Sequence, residues 1–470
     1  MCKRPIVLAL LAFCGAASVS VAPAWARQVP PPPPAPTVPP AASVPQTSAP
    51  ETPAPQPAQQ TSIPPPADRT VVTASVGFRA AIDEALQRNP SVEQAAADIL
   101  AADALLRQAR AATLPALNGQ LLHTTIHPVV EFEGVAATPR NQLTASLDLS
   151  APLYAPATWA RRTQAQDNKR VAELSSAETR RQVALATAQA YLAIITQKRL
   201  AAANLIARDT SRHHFDLATQ LFDKGAGSKL NQLRAQQDLS SNEVTLEDSL
   251  QAVYTAQEAL GVLLARDGPV DASEEPVLDA PPTAADTIAT FVRQRADLQF
   301  LAAREQAADR VFKDSWKDRM PVVTASFLPQ YLTPTGLFSE NGSWRLQALM
   351  TVPIFDAGQR AGLKAGREAQ LRIARSETTA AARQAASEIR VADEGIRSAQ
   401  RSVAAARAAA QQAHQVVQIV NVSFRTGATT NIEVIDAQRA AQDADTATEV
   451  SEDRLRRAKL DLLVSSGRFP

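Results

Sequence analysis

Phe222-Asp223-Lys224-Gly225-Ala226, followed by Leu230 and Ala235-Gln236, aligns without gaps with Phe424-Arg425-Thr426-Gly427-Ala428, followed by Ile432 and Ala437-Gln438. Self-similarity on this scale marks an internal repeat, which has to be read before any shorter motif. Working outward, three further pairs keep the same order. They are Pro152-Leu153-Tyr154 with Pro353-Ile354-Phe355, Leu114-Pro115 with Met320-Pro321, and Asn89-Pro90-Ser91-Val92 with Arg295-Ala296-Asp297-Leu298. One long unit therefore occurs twice.

Each glycine of the opening pair interrupts a helical pattern. Phe215, Ala218 and Phe222, like Val417, Val420 and Phe424, step by three and then four residues, as one helix face does. No proline lies between Ala157 and Gly268 or between Ile354 and Arg468. An interior proline costs ~3 kcal/mol, so such stretches suit unbroken helices. Gly225 before Ser228, and Gly427 before Thr429-Thr430, read as C-cap, turn and N-cap of an antiparallel helical hairpin. The first arm, from about Thr158 to Phe222, is about 100 Å long at 1.5 Å per residue, too long for an ordinary domain.

Upstream of each hairpin the period changes. Leu143-Thr144-Ala145-Ser146-Leu147-Asp148-Leu149-Ser150 alternates apolar and polar residues, and so do Trp344, Leu346, Ala348, Met350 and Val352 with Arg345, Gln347 and Thr351 among the residues between. This is strand periodicity. Partner strands are expected at Leu117 to His127 and Val322 to Leu332, across loops holding Gly134 and Pro139, or Pro334, Gly336 and Gly342.

Before the repeats, residues 1–26 read as a signal peptide: Lys3 and Arg4, an apolar stretch from Ile6 to Ala17, and Ala24-Trp25-Ala26 as the cleavage site. Leu11-Ala12-Phe13-Cys14 is a poor lipidation site, because Phe13 stands where cleavage needs a small residue. Residues 27–70 form a Pro-rich spacer, with 16 of the 33 prolines between Val29 and Pro66, too poor in apolar residues to build a core. The first repeat spans 71–268, with a short helix, a β-hairpin at 117–150 and a long helical hairpin at 157–266. A linker at 269–287 leads to the second repeat at 288–467, with a β-hairpin at 322–353 and a long helical hairpin at 357–467.

A formal charge of +1 leaves no footprint for nucleic acid. The only cysteines, Cys2 and Cys14, lie in the leader, which removes disulfides, thiolate metal sites and a cysteine nucleophile from the rest of the chain. The adjacent pair His213-His214 points about 100° apart on a helix and does not share a metal. No catalytic constellation, cofactor site or metal site is expected, and the chain does not read as an enzyme.

Strands of about ten residues with one apolar face are long enough to cross an outer membrane when tilted. Four cannot close alone, and open edges are not tolerated in lipid, so several chains must share a barrel. The ordered set of Ala85-Leu86-Gln87-Arg88-Asn89-Pro90, Leu114-Pro115, Pro152-Leu153-Tyr154, the turn at Gly225 and a second copy with Pro353-Ile354-Phe355-Asp356 resembles the TolC-like outer-membrane factor family, also called outer membrane efflux proteins, from about Phe78 to Gly467. The resemblance implies a mainly α fold with a small membrane β part. Long α-helical hairpins would form a periplasmic α-barrel, and four strands per chain would contribute to a homotrimeric twelve-stranded barrel in the outer membrane of a Gram-negative bacterium. It implies a passive exit duct of a tripartite efflux or type I secretion system. The implied partners are outer-membrane lipid, a periplasmic membrane-fusion adaptor and, through it, an inner-membrane transporter. A periplasmic adaptor has one such hairpin between lipoyl-like halves, which nothing here resembles, and a structural coiled coil would leave the strands unexplained.

Candidate site residues follow. The turns Lys224-Gly225-Ala226-Gly227 and Thr426-Gly427-Ala428 would form the tip that meets the adaptor. Beyond the second turn, Glu433 and Asp436 share a helix face and fall where the family narrows its tip with acidic rings, while Ile432 and Ile435 are expected to pack together. Asn231 and Thr429 stand where the family can carry a further acid and a base. Tyr154, Tyr331, Trp344 and Phe355 flank the strands as aromatics of the membrane interface. Glu388, Arg390, Arg397 and Arg401 mark a solvated face of the second long helix, which in a tunnel would line the lumen.

Overall fold

The computed structural model describes residues 74–469 apart from 130, 134, 280–284 and 338. The signal peptide and the Pro-rich spacer lie outside the described residues. The elements run β1 Ala74–Val76, α1 Phe78–Arg88, α2 Pro90–Ala111, β2 Ala116–Thr125, β3 Glu131–Phe132, β4 Val135–Ala136, β5 Asn141–Tyr154, α3 Pro156–Asp223 and α4 Lys229–Leu263. They continue as β6 Val270–Ala272, α5 Ala285–Gln294, α6 Ala296–Lys313, a 3₁₀ turn Asp314–Arg319, β7 Val322–Thr333, β8 Gly342–Thr351, α7 Gln359–Arg425 and α8 Asn431–Ser465.

Two helices dominate, α3 with 68 residues and α7 with 67, and each is followed across a tight turn by one of 35. Neither long helix contains an interior proline or a glycine close to a bulky neighbour, and i,i+4 pairs such as Glu368 with Arg372 at 2.6 Å and Asp393 with Arg397 at 2.8 Å line the exposed side. Such pairs supply only a few tenths of a kcal/mol each, so packing along the length must hold the helices straight. Two shorter helices laid end to end accompany each long one. Asp103 of α2 meets Lys169 in the first half of α3 at 2.7 Å, whereas Asp238 of α4 accepts from Ser211 in its second half at 3.0 Å. Along α7, Arg304 of α6 meets Glu377 at 3.0 Å, and Glu452 of α8 meets Arg407 at 2.6 Å.

Where the shorter helices abut, their ends need partners, because terminal N–H and C=O groups have none inside the helix. At the α4–α2 junction one side chain serves both. Asn89 Oδ1 accepts from the Ser91 N–H at 3.0 Å, capping α2, and Asn89 Nδ2 donates to the Leu263 carbonyl at the end of α4 at 2.9 Å. At the α8–α6 junction Arg295 takes the equivalent place. It pairs with Asp297 and with Glu388 of α7, both at 2.7 Å, and Gly467, at φ +70°, lies against the Arg295 backbone. Burial pushes the Asp297 carboxyl up, but the Arg295 hydrogen bonds and charge outweigh it and hold it below its ordinary value.

The core gathers around the middle of α3. Tyr191, Ile194, Leu260, Leu264 and Val270 are buried together there, joined by Ala81 and Ala85 of α1. The Tyr191 hydroxyl donates to the Glu274 carbonyl at 2.8 Å, and the Phe78 ring meets its ring edge-on at 5.3 Å. Of segment 269–287, expected as a plain linker, Val270 and Ala272 belong to this core, β6 pairs in parallel with β1, and α5 starts at Ala285. Gly261 makes the turn before β6 possible, since an added Cβ would lie 2.2 Å from the Gly268 carbonyl oxygen.

The other four long strands form one antiparallel sheet in the order β2-β5-β7-β8. Both strand pairs of the repeats thus lie in one sheet, joined through β5 and β7. β3 and β4 pair within the first loop.

Replacing Asn89 with Ala should cost about 1–2 kcal/mol, since it removes a cap and leaves the Leu263 carbonyl without its donor. Amide exchange across 89–92 and 260–264 should accelerate, and unchanged exchange there would show that apolar packing alone holds the junction.

Candidate functional site

The turns between the long and short helices close in the same way. Gly225 and Gly427 have φ of +73° and +75°, a conformation that only glycine takes without strain. The Gly225 N–H donates to the Phe222 carbonyl at 2.9 Å and the Ala226 N–H to that of Leu221 at 2.8 Å. The Gly427 and Ala428 N–H groups do the same to Phe424 and Ser423, at 3.1 and 2.8 Å. Both turns therefore carry the paired bonds of a Schellman cap. The next helices start on Ser228, whose hydroxyl accepts from the Asn231 N–H at 3.3 Å, and on Thr430. Lys224, Gly225, Ala226, Thr426, Gly427 and Ala428 are exposed, and Gly227 is half-buried against the backbone of Leu221 and Phe222.

The aperture candidates lie at this same end with different surroundings. The Glu433 carboxylate accepts the Thr430 N–H at 3.1 Å and completes a capping box. Asp436 is exposed, and Thr429 donates to the Val420 carbonyl at 3.4 Å. The Asn231 carbonyl accepts from Asn431 Nδ2 at 3.4 Å. Ile432 and Ile435 are not buried alike: Ile435 is buried, as are Val434 and Ala437, while Ile432 is 46% exposed. The inward face of α8 is fixed by its contact with α3, which turns Ile432 outward.

That contact is polar and buried. His214 of α3 donates from Nε2 to Asn431 Oδ1 at 2.7 Å, with the Phe424 ring 5.6 Å from its own. One turn away the buried Asp238 of α4 accepts from Ser211 at 3.0 Å and from Arg439 of α8 at 3.0 and 3.1 Å, while Asn242 donates to Ser211 at 2.5 Å. A buried carboxylate is tolerated when paired and hydrogen-bonded in this manner. The two hairpins are thus latched together near their tips through His214–Asn431 and Asp238–Arg439.

At the far end the sheet register sorts the side chains. Leu117 and Leu121 share a face with Leu149 and Ala145, these with Phe327 and Tyr331, and Phe327 with Leu346. Trp344, Ala348 and Met350 extend this apolar face. The opposite face carries Asn118, Gln120, Ser146, Ser326, Gln330 and Gln347. A register shift between Pro152 and Tyr154 brings Tyr154 opposite Val323, onto the apolar face. Tyr331 lies eight residues further along the same strand, about 26 Å at 3.3 Å per residue. Tyr331 and Trp344 therefore mark the loop end of the apolar band and Tyr154 its helix end, with the exposed Phe355 just beyond β8. The loops at the far end touch each other, the Leu337 N–H donating to the Ala137 carbonyl at 3.2 Å. β2 and β8 are the edges, with no strand beyond them among the described residues.

Residues 81–266 and 288–468 both match the family described as outer membrane efflux protein. The chain belongs to that family. Among its relatives, outer membrane protein OprJ of Pseudomonas aeruginosa is 25% identical over 384 residues, covering 77% of this chain and 78% of that one. The fold is similar to that of VceC from Vibrio cholerae, with a TM-score of 0.70 and 20% identity over 83% of this chain and 96% of that one. The Campylobacter jejuni outer membrane channel CmeC gives 0.73 and 16%, over 83% and 86%. The family is one of efflux proteins and not of enzymes. Among the described residues no helix is long and apolar enough to cross a membrane.

In this member of the outer membrane efflux family, two features of the tip escaped the sequence reading. The latch joins residues more than two hundred positions apart, and only the buried face of α8 reveals it. The capping box was legible as Thr430-x-x-Glu433.

His214 supplies a pH test. Burial is the largest cause of its depressed pKa, opposed by the Asn431 bond and the Asp238 charge, which leaves the imidazole below its ordinary range. A base whose folded pKa is depressed adds full stability above its unfolded value, near 6.5, and loses it as the pH falls from there toward the folded pKa. Amide exchange across 211–217 and 429–435, corrected for intrinsic rates, should be faster at about pH 5.5 than at about pH 7.5. His214→Gln should abolish the difference, and a difference that persists in this variant would acquit His214.

Proposed function

We propose that three copies of this chain close one twelve-stranded barrel in the outer membrane and one helical tunnel beneath it. This assembly is a passive exit duct for small molecules or proteins handed over by a periplasmic adaptor and an inner-membrane transporter. The observation that carries this reading is the sheet: one face is apolar across all four strands, and among the described residues no strand pairs with either edge. An edge cannot face lipid, so copies must meet edge to edge, β8 of one against β2 of the next. Family membership supports three copies. The aromatics at both ends of the apolar band support a membrane slab between Tyr331 with Trp344 and Tyr154 with Phe355, the loops 126–140 and 334–341 lying outside the cell.

The helical end then stands about 100 Å into the periplasm. There the turns Lys224-Gly225-Ala226-Gly227 and Thr426-Gly427-Ala428 meet the adaptor, exposed and held rigid by their caps. Asp436, at the same end as Glu433, Asn231 and Thr429, recurs three times about the axis and favours cations at the aperture. Because Glu433 also caps α8, the variant that tests charge alone is Glu433→Gln with Asp436→Asn, since glutamine keeps the capping box. Cation preference in single-channel recordings should fall in that variant. Unchanged preference would remove the acidic aperture from the reading.

Mass measurement in mild detergent should give a trimer, and a monomer would defeat the shared barrel. Nothing lies within 4 Å of a Cβ added at Gly225 or Gly427, so a bulky residue there strains only the backbone, by roughly 1–2 kcal/mol. Gly225→Arg or Gly427→Arg should therefore leave trimers in the membrane and abolish efflux. Normal efflux from either variant would move the adaptor contact away from that turn.

A further inference from the structure

The four strands of the sheet contain one acidic and one basic residue, Asp148 on β5 and Arg345 on β8. Both lie on the polar face. Asp148 is opposite Asn118 on one side, and Arg345 is opposite Leu328, which falls beside Asp148 in the β5–β7 register. The two charges thus occupy one row across the sheet, two strands apart, or about 10 Å at the usual strand spacing. Leu328 stands between them, no ion pair joins them, and Asp148 Oδ1 has no hydrogen-bond partner. They are not there to hold the sheet together.

We propose that Asp148 and Arg345 are specificity-determining residues of the barrel. Facing its lumen in one row of the sheet, they form a belt of alternating charge with no net sign, so that this stretch of the duct passes cationic and anionic solutes alike. The proposal rests on the shared-barrel reading. With that reading, each copy adds one acid and one base to the same belt, and every other position on the polar face of the strands is uncharged. A ring of one sign selects ions of the other. The alternating ring cancels this within about a Debye length, ~8 Å in physiological salt, and the lumen beyond sees no net charge. Charge preference along the duct then arises at the helical end, where Asp436 is exposed, and not in the membrane.

A thiol reporter tests this without depending on the narrow tip. Gln347→Cys places a thiol on the polar face two residues from Arg345, in a chain whose other cysteines are Cys2 and Cys14 in the leader. Intact cells are treated with methanethiosulfonate reagents of opposite charge, and the ratio of cationic to anionic reaction rates is compared with that of a free thiol. The ratio should match the free thiol when both charges are present. It should rise about twofold or more in Arg345→Gln, the factor one unit charge exerts on an ion about 10 Å away in water, fall similarly in Asp148→Asn, and return in the double variant. A ratio insensitive to both single changes overturns the proposal and leaves the barrel reading intact. An introduced thiol that neither reagent reaches overturns the barrel reading, and the proposal with it.

Discussion

A backbone N–H or C=O without a partner in hydrocarbon costs roughly several kcal/mol, and this chain carries two ten-residue strand edges whose outward groups no other described strand satisfies. In the proposed barrel, the apolar face that would draw the sheet into lipid is the same feature that would make those edges intolerable there. Burial and edge pairing are therefore one event: a copy that inserted alone would lose more at β2 and β8 than its leucines and Trp344 could return. In the proposed barrel the aromatics at the two ends of the band would add to this by fixing depth, so that the edges of neighbouring copies would meet at the same level.

The long helices inherit their direction from that sheet and have no such simple closure. A helix of 68 residues buries a stripe only where something lies along it, and no single partner here is long enough. Two shorter helices stacked end to end solve the length problem but create a new pair of termini in the middle of the bundle. Asn89 bridges one junction with a neutral bifunctional amide, whereas at the other Arg295 pairs with two carboxylates and α8 closes on its own backbone, through Gly467 and Arg468. The repeats share a frame, yet the residue at the matching position differs in charge, size and hydrogen-bonding capacity. The two copies therefore meet the same need in different ways, one with a side chain that reaches both helix ends and one with backbone caps beside an ion-paired arginine.

This explains what could be read from the sequence. The helical hairpins, the strands and their alternation were legible because they depend on local signals: Gly225 and Gly427, the absence of proline, and the period-two pattern around Leu143 to Ser150. The parallel pairing of β1 with β6 was not, since three-residue strands carry no period and the pairing spans almost two hundred residues. The inward face of α8 was misread for a related reason. Ile432 and Val434 are equally apolar on paper, and only the position of His214 and Phe424 decides which of them turns inside. Tyr154 shows the limit most sharply, because its place on the apolar face depends on a one-residue shift at Pro152 that strict alternation would not contain.

The contrast between the two places where the hairpins meet bears on how such a tunnel could open. Around Leu192 and Leu460 the contact has an apolar core that extends over several elements, so its free energy falls gradually with exposed area and no single break releases it. Near the tip a smaller apolar strip, with Val434 and Ile435, is joined by a few directed bonds, His214 with Asn431 and Asp238 with Arg439. Such bonds are lost over less than an ångström of displacement, and once water reaches Asp238 its hydration offsets much of what the pair supplied. The fold therefore places a hinge-like resistance at mid-length and a two-state contact at the tip. A small lateral pull on the exposed Gly225 and Gly427 turns acts at the end of a long lever against the contact least able to yield by degrees, so separation of the hairpins should begin there and propagate only as far as the apolar core.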